Sequence, residues 1–193
     1  MKIKYWILTL LAGLALVGGV YFLVKDSGLS TTSTTTSSSN KNDGVQKEVT
    51  DEIRTNIKTM SFADKEDKKV DFSSLQSSDK PTFVMFWASW CPDCQAQLPI
   101  IDKMYKKYKD DVNFVMVNVV DGSREKLGAG QKYFSDKGYD FAYYYDNHLV
   151  AADSVSVEYI PTMYILDKEG NIQFAYEVNQ SQKQLESNFK SVI

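Results

Sequence analysis

The sequence predicts an α/β fold built on a central mixed sheet with helices on both faces. Three observations carry this. The apolar, aromatic-rich run from Thr82 to Trp87 has the length and composition of a buried strand. Helical spacing takes over from Gln95, and strand-like and helical stretches then alternate as far as Tyr145. The last third of the chain breaks that alternation with two strands joined by a short turn and a closing helix. A β-β-α ending of this kind adds antiparallel members to an otherwise parallel sheet.

The 193 residues suffice for one compact domain plus attachments, and a net charge of -3 gives no reason to expect a nucleic-acid partner. The pattern divides the chain into a membrane anchor with a short cytoplasmic N-terminus (1–25), a disordered Ser/Thr-rich stalk (26–44) and a folded domain (45–193). Tyr5 to Val24 carries no charge and has the ~20-residue length of a spanning helix. Lys2 and Lys4 precede it, whereas Lys25 and Asp26 cancel behind it. The positive-inside rule therefore places the folded domain outside the cytoplasm, at a cell membrane crossed once. A cleaved signal peptide is the competing reading, against which stand a run longer than the usual ~7–15-residue core and no clear cleavage site. No cysteine lies near the end of the run to take a lipid. Ser30 to Ser39 is an unbroken Ser/Thr tract with nothing to bury.

Within the domain, Val45, Val49, Ile53, Ile57 and Met60 share one face of an expected helix, which packs on the domain or meets a partner. Phe62 to Phe72 reads as two short strands around a polar turn at 64–69. Leu98, Ile101, Met104, Tyr105 and Tyr108 keep helical spacing, with Pro99 expected to kink the helix. Val112 to Val120 is a second buried strand, Ser123 to Lys137 a helix stopped by Gly138, and Phe141 to Tyr145 a short strand. A helical patch runs from His148 to Val155. Met163–Leu166 and Ile172–Tyr176 form a hairpin, and Leu185, Phe189 and Ile193 lie on the closing helix.

Cys91 and Cys94 are the only cysteines, so no structural disulfide framework exists and electrons must pass to another protein or a small thiol. A strand, a Cys-x-x-Cys and then a helix is the setting in which that spacing means redox chemistry. Cys91 falls at the helix N-terminus, where free N–H groups and the helix dipole favour a thiolate. It is the expected attacking residue. Pro92 suits the first helical position, having no N–H to waste. Cys94, three residues on, is the more buried, resolving thiol. Asp93 between them is the nearest carboxylate, and its charge opposes the dipole. With one histidine, His148, a four-ligand zinc site of soft ligands cannot be assembled. No metal or cofactor is expected beyond the redox-active pair.

The stretch Phe86–Cys94, with Trp87 and Trp90 flanking the motif, resembles the active-site segment of the thioredoxin superfamily, so the α/β fold is expected to be thioredoxin-like. The likeness covers residues 45–193 and is closest from Phe72 to Phe189. The hairpin at 62–72 resembles the N-terminal addition of extracytoplasmic proteins of the TlpA and ResA type, and Phe72–Leu75 resembles the segment those proteins place just before the central strand. Of the two aromatics, Trp90 is expected to shield the disulfide and Trp87 to belong to the core. The resemblance implies that Pro161, in Tyr159-Ile160-Pro161-Thr162, is cis and faces the cysteines, with the Ile160 backbone pairing with a substrate strand. Two positions depart from the pattern. Met85 stands where thioredoxins bury an Asp, and Gln97 where ResA-type reductants carry a Glu.

These readings lead to an enzyme, a membrane-anchored extracytoplasmic thiol–disulfide oxidoreductase. Its partners are exported proteins with cysteines and a membrane-borne or extracellular redox partner. The missing carboxylates at Met85 and Gln97 favour disulfide formation or exchange. A reductant for cytochrome c maturation or repair-enzyme recycling is the alternative, and Ile160 before the proline resembles the reducing thioredoxins. A copper-binding module is the other alternative, because two thiolates bind Cu(I), although no Met or His cluster follows the motif.

Overall fold

The computed structural model describes residues 46–76 and 79–193. The anchor and stalk expected over 1–44, and Val45, lie outside the described residues. Among the described residues no helix is long and apolar enough to cross a membrane.

The elements run α1 (Asp51–Thr59), β1 (Ser61–Asp64), β2 (Lys69–Asp71), α2 (Phe72–Leu75), β3 (Thr82–Trp87), α3 (Pro92–Tyr108) and β4 (Asn113–Val120). They continue with α4 (Ala129–Lys137), β5 (Tyr143–Asn147), α5 (Val150–Ser154), β6 (Thr162–Leu166), β7 (Ile172–Tyr176) and α6 (Gln182–Val192). The seven strands form one mixed sheet in the order β2-β1-β5-β4-β3-β6-β7. β3 pairs parallel with β4 and antiparallel with β6, so it sits inside the sheet with neighbours on both sides.

All six residues of β3 are buried. Because alternate side chains leave a strand on opposite faces, both faces of the sheet must be covered. On one face Phe83 packs against Phe189 of α6, and Trp87 stacks flat on Phe134 of α4 with ring centroids 4.4 Å apart. On the other, Phe86 meets Tyr164, whose hydroxyl donates to the Val155 carbonyl just past α5. This is the thioredoxin-like α/β arrangement, and the hairpin β1–β2 extends the sheet through β1 pairing with β5.

Several boundaries differ from the sequence expectation, and the three helix starts among them do so for a local polar reason. The helix expected from Val45 begins at Asp51, because Thr50 caps it by accepting from Ile53 N at 3.2 Å. The residues before it are extended, with Lys47 N donating to the Ala175 carbonyl on β7 at 2.8 Å. The helix expected from Ser123 begins only at Ala129. Residues 121–127 instead form a loop in which Asp121 Oδ1 accepts from Ser123 N and Glu125 N, both at 2.9 Å, and Gly128 at φ 83° breaks the backbone ahead of the helix. β5 runs over Tyr143–Asn147 rather than from Phe141, in register with Met116–Val120. The helical patch shortens to Val150–Ser154. His148 and Leu149 both take left-handed φ of 62°, and the Asp146 carboxylate caps the helix through Ala151 N and Ala152 N. β6 begins one residue earlier than expected, at Thr162. α3 continues through the exposed Pro99 to Tyr108.

Gly130 of α4 meets the Asn118 side chain so closely that an added Cβ would lie 2.5 Å from its atoms. Asn118 cannot give way freely. Its amide donates to the Trp87 carbonyl (3.2 Å) and Glu125 Oε1 (2.7 Å), and its oxygen accepts from Tyr143 (2.9 Å). Gly→Ala in a helix normally gains ~1 kcal/mol, whereas overpacking costs ~1–3 kcal/mol. Gly130→Ala should therefore destabilise the protein in urea unfolding by up to about 2 kcal/mol; a gain in stability would show that this contact is slack.

Candidate functional site: a cysteine pair at a helix N-terminus

β3 ends at Trp87, and Ala88–Trp90 turn the chain so that Cys91 becomes the N-cap of α3. The turn closes with Cys91 N donating to the Ala88 carbonyl at 3.3 Å. Cys91 Sγ accepts from Cys94 N at 3.2 Å, the bond by which an N-cap side chain satisfies an open helix amide. Pro92 follows at the first helical position, where its missing N–H costs nothing. Both cysteines are free thiols in this structure.

The two thiols differ in environment. Cys91 lines a cleft of about 730 Å³ while remaining 4% exposed. Cys94 is 0% exposed, and burial pushes its thiol well above the ordinary range, helped by the hydrogen bond to Cys91 and by the charge of Asp93. Burial penalises a thiolate, so Cys94 holds its proton until something draws it off.

Trp90, Pro92, Asp93 and Ile160 line the same cleft, and Pro92 and Asp93 are exposed. Trp90 is half-buried, with the Arg124 guanidinium 3.9 Å over its ring, and Trp87 is fully buried. The Ile160–Pro161 peptide bond is cis, and Pro161 is buried. The Ile160 carbonyl accepts from the Cys91 thiol at 3.4 Å, so it points at the sulfur rather than out to solvent in this reduced pair. Trp90, Cys91, Pro92, Asp93 and Ile160 thus converge on one cleft, with Cys94 and Pro161 buried next to them in the chain.

Met85 is fully buried and brings no charge beneath the site. Gln97, also fully buried, exchanges two hydrogen bonds with the Gln180 backbone: Gln180 N donates to Oε1 (2.7 Å) and Nε2 donates to the Gln180 carbonyl (3.2 Å). Both expectations about these positions concern residue type, and the structure adds that the Gln97 amide is committed to the segment before α6. His148 is exposed in the turn after β5.

Three residues escaped the sequence reading. Ser89, Arg124 and Glu125 form a contact between the turn before Cys91 and the loop after β4. The Glu125 carboxylate accepts from Ser89 N (3.1 Å) and Ser89 Oγ (2.7 Å), and its side chain is 0% exposed. A helix assignment over Ser123–Lys137 concealed this loop. Asp121-Gly122-Ser123 was the available signal, since Asp, Gly and Ser cluster in turns.

A helix-capping cysteine and a buried partner on a thioredoxin-like scaffold, with a proline loop against the first sulfur, define the thiol–disulfide oxidoreductase class. The chain belongs to the AhpC/TSA family, whose model matches residues 53–175. It is similar to thioredoxin-like protein YneN of Bacillus subtilis, at 36% identity over 117 residues, covering 59% of this chain and 66%, just under two thirds, of that protein. It is 26% identical over 129 residues to the thiol-disulfide oxidoreductase ResA of Bacillus thuringiensis, covering 67% of this chain and 72% of that one. Among solved structures, a secreted Mycobacterium tuberculosis disulfide oxidoreductase homologous to E. coli DsbE shares the fold. Its TM-score is 0.60 at 23% identity, over 71% of this chain and 98% of that one.

The burial difference has a direct chemical consequence. Iodoacetamide at neutral pH should label the reduced protein once, at Cys91, as read by mass spectrometry of peptides. In Cys91→Ala, labelling of Cys94 should require a more alkaline solution than an ordinary thiol does. Equal labelling of both cysteines at neutral pH would contradict this site geometry.

Proposed function

We propose that this protein is a membrane-anchored thiol–disulfide oxidoreductase that works outside the cytoplasm and donates disulfides to exported proteins. The observation that carries the reading is the placement of Cys91: an N-cap sulfur bonded to Cys94 N–H, open to a cleft, with its resolving partner buried behind it.

In the donor direction a client thiolate attacks Cys91 Sγ of the oxidised pair. The Cys91–Cys94 bond breaks, and Cys94 leaves with the electron pair and takes up a proton. A second client thiolate then attacks the client sulfur of the mixed disulfide, forming the client disulfide and releasing Cys91. Two electrons pass to the pair, and a membrane-borne or extracellular oxidant must remove them. Met85 and Gln97 support this direction, since neither supplies the carboxylate that a reductant of the resembling families keeps by its buried thiol. The uncharged run Tyr5–Val24 with Lys2 and Lys4 before it supports the anchoring and the extracytoplasmic location.

One observation favours the reductant reading. The raised Cys94 thiol makes a poorer leaving group when the disulfide is attacked, which stabilises the oxidised pair. In that case Cys91 attacks a client disulfide, Cys94 resolves the mixed species, and a membrane electron carrier restores the dithiol.

Both directions pass through a mixed disulfide at Cys91. Cys91→Ala should abolish turnover, with at least about a hundredfold loss of exchange rate. Cys94→Ala should accumulate client adducts visible on non-reducing gels and released by dithiothreitol. Absence of adducts from cells carrying Cys94→Ala would sink the proposal, and stoichiometric copper on the purified protein would favour a metal-binding module instead.

A further inference from the structure

We propose that Glu125 is the positioning residue of the exchange site, its buried carboxylate fixing the Ser89–Cys91 turn so that Cys91 Sγ stays on Cys94 N–H. The inference rests on the proposed exchange chemistry, and it concerns how the nucleophile is held rather than what it attacks.

The carboxylate sits fully buried, where a charge is costly unless its lone pairs are used. They are used. Oε1 accepts from Ser89 N and Asn118 Nδ2, and Oε2 accepts from Ser89 Oγ. The remaining polar group of Ser89, its carbonyl, accepts from Gln95 Nε2 of α3 at 2.6 Å. Every polar group of Ser89 is therefore tied, two of its three bonds running to Glu125 and one to the helix that Cys91 caps. An apolar side chain of similar size would fill the space but leave Ser89 N–H without a partner and Asn118 Nδ2 with only the Trp87 carbonyl.

Glu125 is itself held. Asp121 Oδ1 accepts from its backbone N–H at 2.9 Å, and Asn118 is fixed by Tyr143 and the Trp87 carbonyl. The adjacent Arg124 does not neutralise it. Its guanidinium pairs with Asp121 at 3.3 Å and lies over Trp90, the residue between Ser89 and Cys91. Two consecutive residues of one loop thus hold two consecutive residues of the active-site turn, one by hydrogen bonds and one by its ring contact. A carboxylate suits this place because its partners are donors, and charge-assisted bonds are roughly twice as strong as neutral ones.

The test separates position from charge. In Glu125→Gln the amide oxygen can keep Ser89 N–H and Asn118, while the amide NH₂ donates to the Ser89 hydroxyl, which rotates to accept. That variant removes the charge and keeps the bonds; Glu125→Ala removes both. The readout is the equilibrium of the full-length protein with reduced and oxidised glutathione, alongside thermal melting. Releasing the turn takes from the reduced pair the contacts of Cys91 with Cys94 N–H and the Ile160 carbonyl. The dithiol of Glu125→Ala should then be disfavoured at least about threefold relative to Glu125→Gln, a potential lower by about 14 mV. Coincident equilibria, with only the melting temperatures apart, would overturn the proposal and leave Glu125 a structural residue. A higher potential in Glu125→Ala than in Glu125→Gln would overturn it as well. If Glu125→Ala does not fold, Ser89→Ala, which leaves the charge intact, is compared with the unaltered protein. Its dithiol should be disfavoured in the same sense, and no shift would overturn the proposal. Glutathione equilibration needs no protein client, so failure of Cys94→Ala to trap adducts would defeat the proposed function without touching this comparison.

Discussion

Cys91 must stand where a fully buried strand stops and a helix starts, with the first helix amides still unpaired. That junction constrains the rest of the domain. β3 can be buried along its whole length only because β4 and β6 saturate its edges and aromatic side chains cover both faces. Phe83 on Phe189 and Trp87 on Phe134 hold one side; Phe86 on Tyr164 holds the other. A strand locked in this way leaves its C-terminal end no freedom to drift, and the helix begins at a defined point in space. The open amides of that helix then find a sulfur instead of a hydroxyl or carboxylate as their cap.

Two thiols three residues apart would be near-equivalent on an exposed helix. Burial separates them. The core that anchors β3 also encloses Cys94, so desolvation raises that thiol while Cys91 keeps one side on the cleft. Asymmetry of attack and resolution thus follows from the same packing that stabilises the sheet. The proline loop before β6 completes the arrangement by placing the Ile160 carbonyl on the Cys91 sulfur.

The parts legible in the sequence are those with a local signature. Phe83–Trp87 is apolar without interruption, Val112–Val120 nearly so, and Cys-Pro-Asp-Cys carries its own capping logic through Pro92. The convergence of Ile160 on Cys91, 69 residues away, rested on family resemblance, because no pattern within either stretch encodes it. The misplaced helix starts share one cause. Thr50, Asp121 and Asp146 each turn a side-chain oxygen onto backbone N–H groups, and such caps outcompete periodicity where a helix starts. Glu125 was hidden for the opposite reason: a single acidic residue in a polar stretch reads as surface, and only the tertiary fold shows that Ser89 and Asn118 close over it.

The central claim is that this geometry donates disulfides, and the reduction potential of the Cys91–Cys94 pair tests it most directly. Equilibration of the unaltered protein with glutathione buffers gives the value, with each ~30 mV amounting to about tenfold in the equilibrium. A potential well above that of the glutathione couple is the result expected of a donor. A potential well below it would contradict the account and make the protein a reductant supplied through the membrane.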